Sequence, residues 1–186
     1  MRLLFIKLKH IGDALIMTPM LTAVRARHPE AEIHVVVRCG TEVILAGCPA
    51  IDQLHTSAAP TGERQTGTRW QDIQLLRRLR KVGFDSAFEL GDGDRGRMLA
   101  WLCGAKQRFA NDTHPPMSRW WRSRFTTVGE EKWSGRHQVE KDFGIVQSAL
   151  DLGEPIPPLC FEESAAEAWP HGEPFILFHP ATRWTQ

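Results

Sequence analysis

The feature that most limits what this chain can fold into is its opening. Leu3-Leu4-Phe5-Ile6 is an unbroken apolar run that leads through Lys7-Leu8-Lys9-His10-Ile11-Gly12-Asp13 into Leu15, Ile16, Met20, Leu21 and Val24, spaced as on one helix face. The run reads as a buried strand from Arg2 to Leu8, and the spaced residues as a helix from Asp13 to Arg27. Ligands of open α/β sheets bind beyond the carboxyl ends of strands, beside helix N-termini. Asp13 falls at such a place, with Lys7, Lys9 and His10 just upstream.

The alternation then repeats. Glu32 to Arg38 holds the β-branched run Ile33, Val35, Val36 and Val37 and predicts a second buried strand. A short helix over Thr41 to Ala46 precedes a third strand at Ile51 to His55, and Thr56 to Thr68, rich in Ser, Ala, Pro, Thr and Gly, predicts a surface loop. Trp70 to Lys81 sets Ile73, Leu75, Leu76 and Leu79 against Arg77, Arg78, Arg80 and Lys81, an amphipathic helix ended by Gly83. Phe84 to Leu90 and Lys106 to Ala110 read as further strands, Arg95 to Cys103 and His137 to Leu150 as helices, while Asn111 to Lys132 shows no clean period. Strands alternating with helices predict the α/β class, with a Rossmann-like, doubly wound parallel sheet. After the linker-like Gly153 to Pro158, Pro174 to Trp184 restarts the strand-to-loop pattern.

Composition narrows the function classes. With 186 residues, 42% hydrophobic and 24% charged, the chain is globular rather than disordered or fibrous. Lys and Arg total 23 against 22 Asp and Glu, so a basic site must be a local patch rather than a global polyanion signature. No apolar run approaches the ~20 residues that span a bilayer, and the opening lacks the pattern of a secretory signal. A cytoplasmic location is expected. Cys39, Cys48, Cys103 and Cys160 lack paired spacing, which argues against a disulfide framework or zinc site, and no His-x-x-x-His pattern suggests a metal.

Several residues carry candidate chemistry. Asp13 reads either as a helix cap, worth about 1 kcal/mol, or as a general base. Lys9 and His10 either contact acidic ligand groups or are solvated. The glycine-rich Gly91-Asp92-Gly93-Asp94-Arg95-Gly96-Arg97 follows a strand and opens a helix, yet its glycine spacing departs from a dinucleotide fingerprint and two carboxylates would repel a pyrophosphate. A structural turn is the plainer reading. Arg119 to Arg124, with interleaved Trp120 and Trp121, fits packing first, with an anionic membrane surface and nucleic acid as the alternatives.

The opening resembles the glycosyltransferase family 9 heptosyltransferases, which extend the inner core of bacterial lipopolysaccharide. Lys7, Gly12-Asp13, Thr18-Pro19, Val24-Arg25 and Pro29-Glu30-Ala31 match that family's pattern in order and spacing, and Gly135-Arg136-His137-Gln138-Val139 resembles its segment opening the last helix of the first domain. The resemblance implies the N-terminal domain of a two-domain GT-B glycosyltransferase: residues 1–152 as a Rossmann-like acceptor-binding domain, 153–173 as a linker and 174–186 as the first strand of the donor-binding domain. It implies an inverting heptosyl transfer with Asp13 as general base, and Lys9, His10, Gly12, Asp92 and Arg95 as acceptor contacts. No cofactor or metal is implied; the partners are a nucleotide-sugar donor such as ADP-heptose, the lipopolysaccharide acceptor and, peripherally, the inner membrane. The Arg-Trp-rich middle and Pro180-Ala181-Thr182-Arg183-Trp184 lean towards the subtype adding a branching third heptose. The rival readings are a non-catalytic Rossmann-like module binding an anionic glycolipid or partner protein, and a nucleic-acid binder using the Trp-Arg segment.

Overall fold

The computed structural model describes residues 1–58, 68–131 and 134–160. Six strands form one sheet: β1 (Arg2–Lys7), β2 (Glu32–Arg38), β3 (Gln53–Ser57), β4 (Ser86–Glu89), β5 (Gln107–Ala110) and β6 (Thr127–Val128). Their spatial order is β3-β2-β1-β4-β5-β6 and every pairing is parallel. Helices cover both faces: α1 (Ile11–Leu15), α2 (Thr18–Arg27), α3 (Thr68–Val82), α4 (Asp94–Leu102), α5 (Arg119–Arg122) and α6 (Gln138–Gln147).

The period of two along the strands divides the core. Leu3, Phe5, Val35 and Val37 face the α2 and α6 layer, while Leu4, Ile6, Val36 and Ala87 face the α3 and α4 layer. Both faces are therefore apolar and the central strands read as unbroken hydrophobic runs. Phe5, Phe88 and Phe109 stand in register across β1, β4 and β5 and stack at centroid separations of 5.0 and 4.9 Å.

The single helix expected from Asp13 to Arg27 is two. Pro19 carries no N–H to bond the Leu15 carbonyl, and the Thr18 hydroxyl takes that carbonyl instead, at 2.8 Å. The short helix expected at Thr41 to Ala46 is a single 3-10 turn at Glu42–Leu45. Within the stretch that lacked a period lie the four-residue α5 and the two-residue edge strand β6. Residues 153–160 run without regular structure and return to α2, where the Cys160 N–H donates to the Thr18 hydroxyl at 2.9 Å. The expected loop at 59–67, Lys132, Trp133, the remainder of the linker and the strand at 174–184 lie outside the described residues.

Candidate active site at the crevice between β1 and β4

The chain lays β2 and β3 on one side of β1 and then crosses to lay β4, β5 and β6 on the other. The loops leaving the carboxyl ends of β1 and β4 part at this reversal, which is where doubly wound sheets bind ligands. Lys9, His10, Gly12 and Asp13 follow β1, and Asp92 and Arg95 follow β4. Sequence reasoning thus brought together residues that are 83 positions apart in the case of Lys9 and Asp92.

Asp13 is half-buried in the first turn of α1. It is not itself the cap: His10 holds that position, and Asp13 reaches back so that its Oδ2 accepts the His10 backbone N–H at 3.1 Å. That bond occupies one carboxylate oxygen. Lys9 spans the crevice, its Nζ 2.9 Å from Asp92 Oδ2. Burial lowers the ammonium's pKa, but the carboxylates of Asp92, Asp13 and Glu89 outweigh it and the net direction is upward. Asp92 sits at φ 60°, a left-handed conformation that Asp tolerates better than most residues.

Arg95 points its guanidinium at α3, donating from Nε to Asp72 Oδ2 at 2.7 Å and from Nη2 to Asp72 Oδ1 at 2.8 Å, while the Ser57 hydroxyl donates to the same Oδ1 at 3.1 Å. His10 and Gly12 are exposed, and a Cβ on Gly12 would meet open space. Lys7, which the sequence placed among the charges around Asp13, is wholly buried and pairs with Asp142 of α6. Gln138 Nε2 holds the other Asp142 oxygen at 2.8 Å. Burial raises the Asp142 pKa, and Lys7 opposes it. This pair fastens α6 to the central strand.

Sequence reasoning missed Glu89. It ends β4 with 1% of its surface exposed, accepts the Gly91 N–H on Oε1 at 2.9 Å, and leaves Oε2 without a hydrogen-bond partner. Burial pushes its carboxyl up to about 8, helped by Asp92 and opposed by Arg97, the Gly91 N–H and Lys9. The glycines of the following loop make room for it. A Cβ on Gly96 would lie 2.5 Å from Glu89 Oε1, and one on Gly91 would lie 3.0 Å from the same oxygen and 3.1 Å from the Leu8 nitrogen. The loop is therefore a structural turn closed over a carboxyl group, not a phosphate cradle. The available signal was a carboxylate ending an apolar strand directly before clustered glycines.

The Trp-Arg segment packs on itself. Arg124 lies 4.5 Å over the Trp120 ring and 5.2 Å over Trp101, Trp120 meets Trp101 and Trp121 edge to face, and Arg122 pairs with Asp112. Asp92 and Asp94, the superficial Asp-x-Asp match, pair with Lys9 and Arg97. Among the described residues no group of three or more His, Cys, Asp or Glu is arranged to hold a metal, and no helix is long and apolar enough to cross a membrane.

No family model matches the chain. It is 28% identical over 138 residues to lipopolysaccharide heptosyltransferase 3 of Escherichia coli, covering 73% of this chain and 39% of that protein. Among solved structures, a glycosyl transferase family 9 protein from Veillonella parvula DSM 2008 aligns with a TM-score of 0.72 at 20% identity, over 87% of this chain and 44% of the other. The E. coli heptosyltransferase WaaC with ADP aligns at 0.67 and 16% identity, over 87% and 51%. The structural likenesses establish a shared fold, and the chain spans about half or less of each relative's length. In sequence the chain is thus similar to a lipopolysaccharide heptosyltransferase, and in fold to solved glycosyl transferase family 9 and heptosyltransferase structures.

Proposed function

We propose that the chain is the acceptor-side half of an inverting glycosyltransferase that moves a heptose from a nucleotide-sugar donor, of the ADP-heptose kind, to the inner core of lipopolysaccharide. The observation that carries this reading is the position of Asp13 at the β1 end of the crevice, with one oxygen held by His10 and the loop bearing Asp92 across from it. The acceptor hydroxyl attacks the anomeric carbon as the bond to the diphosphate breaks, and its proton passes to the Asp13 carboxylate. Lys9, His10, Gly12, Asp92 and Arg95 form the acceptor side, with residues 1–152 as the acceptor domain, 153–173 as linker and 174–186 as the start of the donor-binding domain. No cofactor or metal takes part in this scheme. The work is cytoplasmic, at the inner face of the membrane that holds the acceptor lipid.

The test is Asp13→Asn in the complete protein, assayed with ADP-heptose and a deacylated core acceptor. Loss of the base should lower kcat by about 10²–10⁴ with the circular dichroism spectrum unchanged. An Asn variant retaining full turnover would sink the assignment. Binding of core oligosaccharide with no transfer by the wild-type protein would favour the non-catalytic module.

A further inference from the structure

A cavity of about 240 Å³ lies between the carboxyl ends of β5 and β6 and one side of α6. Lys141, Gly144 and Ile145, at helical spacing, form the α6 wall, and Asn111 and Gly129, which follow β5 and β6, form the other. Two polar side chains set it apart from a packing gap. Lys141 and Asn111 both line it and are each 3% exposed. Among the described residues the Lys141 ammonium has no acceptor within hydrogen-bonding distance, and Asn111 Oδ1 has no donor. Neither atom is sealed away, for the buried polar atoms left without partners are others, on His28, Glu89 and Arg97. The little surface that these two residues keep therefore includes those atoms, and it opens on the cavity.

The two residues stand side by side, Asn111 Nδ2 donating to the Lys141 carbonyl at 3.2 Å. Asn111 Oδ1 marks the Gly129 wall, 2.8 Å from where a Cβ on that glycine would lie. Holding a cation on a buried stem costs free energy unless an acceptor completes it. Lys141 therefore calls for a negative group, and Asn111 Oδ1 for a donor next to it. The remaining charges decide what kind of donor. Arg136 Nη1 and Glu130 Oε1, 3.1 Å apart, neutralise each other at the rim. Glu140 also lines the cavity, and its Oε2 accepts only the His137 backbone N–H, at 3.1 Å, so it keeps its negative charge. One free cation and one carboxylate suit a ligand that carries both signs. A volume below the roughly 300 Å³ at which drug-sized ligands begin restricts it to a small molecule.

We propose that this cavity binds a small α-amino acid as its zwitterion. The carboxylate accepts from the Lys141 ammonium, and the α-ammonium donates to Asn111 Oδ1 beside the Glu140 carboxylate. None of Lys9, Asp13 or Asp92 lines the cavity. The site goes beyond the transfer reaction and stands independently of it, because its test reads binding alone.

The experiment titrates the ¹⁵N-labelled protein with L-alanine, following the amide signals of Gly129 and Gly144. Lactate, which replaces the ammonium by a hydroxyl, and ethylamine, which lacks the carboxylate, are the controls. We expect saturable shifts with alanine, and affinities for lactate and ethylamine at least about tenfold weaker, because each loses a charge-assisted hydrogen bond. Lys141→Met keeps the buried stem and removes the cation; it should weaken alanine binding by at least about tenfold with the rest of the spectrum unchanged. No saturable response to alanine, an equal or stronger response to lactate or ethylamine, or unaltered alanine binding in Lys141→Met would each overturn the proposal. Should the Met variant fail to fold, the comparison of alanine with the two control ligands still decides it.

Discussion

At the residue scale, Glu89 connects sequence, packing and electrostatics. Its burial explains why Gly96 is glycine: a methyl group there would lie 2.5 Å from Oε1 and 3.2 Å from Cδ and Cγ of a buried side chain. Gly96→Ala should destabilise the fold by about 1–3 kcal/mol, and the penalty should shrink in a Glu89→Ala background; thermal denaturation of the four proteins of that cycle measures it. The same burial sets a pH dependence. A carboxyl raised from 4.5 to about 8 keeps a proton in the folded state that the unfolded chain releases, so stability falls as pH rises between those values. His55, lowered from 6.5 to about 4 by burial and by neighbouring His34 and Arg78, acts oppositely between those two values, because there the unfolded chain binds the extra proton. The Glu89 effect should therefore show between pH 6.5 and 8, as a loss of up to roughly 1 kcal/mol per pH unit that denaturant titration finds absent in Glu89→Gln. Asp13 was legible because its place follows from one strand, one turn and one helix. Glu89 was not, because strand periodicity marks a face and says nothing about which polar group closes beneath a distant helix.

At the scale of elements, long amphipathic and unbroken apolar segments were readable and short ones were not. Hydrophobic spacing carries across Pro19 without interruption, so it could not reveal that α1 and α2 are separate, although the missing N–H of Pro19 was in view. α5 and β6 are four and two residues long, too short for any period to emerge. The face of α3 supports the membrane contact proposed for this protein. Arg77, Arg78, Arg80 and Lys81 have no carboxylate in ion-pair contact among the described residues. On the same helix Trp70 is 63% exposed, and Ile73 and Met98, 42% and 47% exposed, line an apolar groove of about 380 Å³ between α3 and α4. Cations flanking apolar surface suit an anionic headgroup layer. The chain should cosediment with phosphatidylglycerol-containing vesicles and not with phosphatidylcholine alone. Arg77→Gln with Lys81→Gln should weaken binding by about thirtyfold, at ~1 kcal/mol per cation; salt-insensitive or unaltered binding would remove this face from the membrane.

At the scale of the molecule, the parallel sheet was readable because local pattern and connection rules agree: alternating strands and helices admit few other arrangements. What the pattern could not supply was the long-range polar pairing, such as Lys7 with Asp142, which are 135 residues apart and each sit where a surface charge was the simpler expectation. Other such pairings bear on where a donor's diphosphate can bind. Around the crevice Lys9 is engaged by Asp92, Arg95 by Asp72 and Arg97 by Asp94, and the Gly91 N–H donates to Glu89. Each would have to leave a carboxylate to serve a phosphate, and Asp13 and Asp92 add negative charge nearby. These engaged groups suit a diphosphate poorly, since it needs cations or backbone N–H groups held free for it. We expect the 186-residue chain to bind ADP with a Kd weaker than about 1 mM by calorimetry, and Lys9→Met not to weaken that further. Micromolar ADP binding by this chain, lost in Lys9→Met, would instead place the diphosphate in this crevice and reverse the division between acceptor and donor sides.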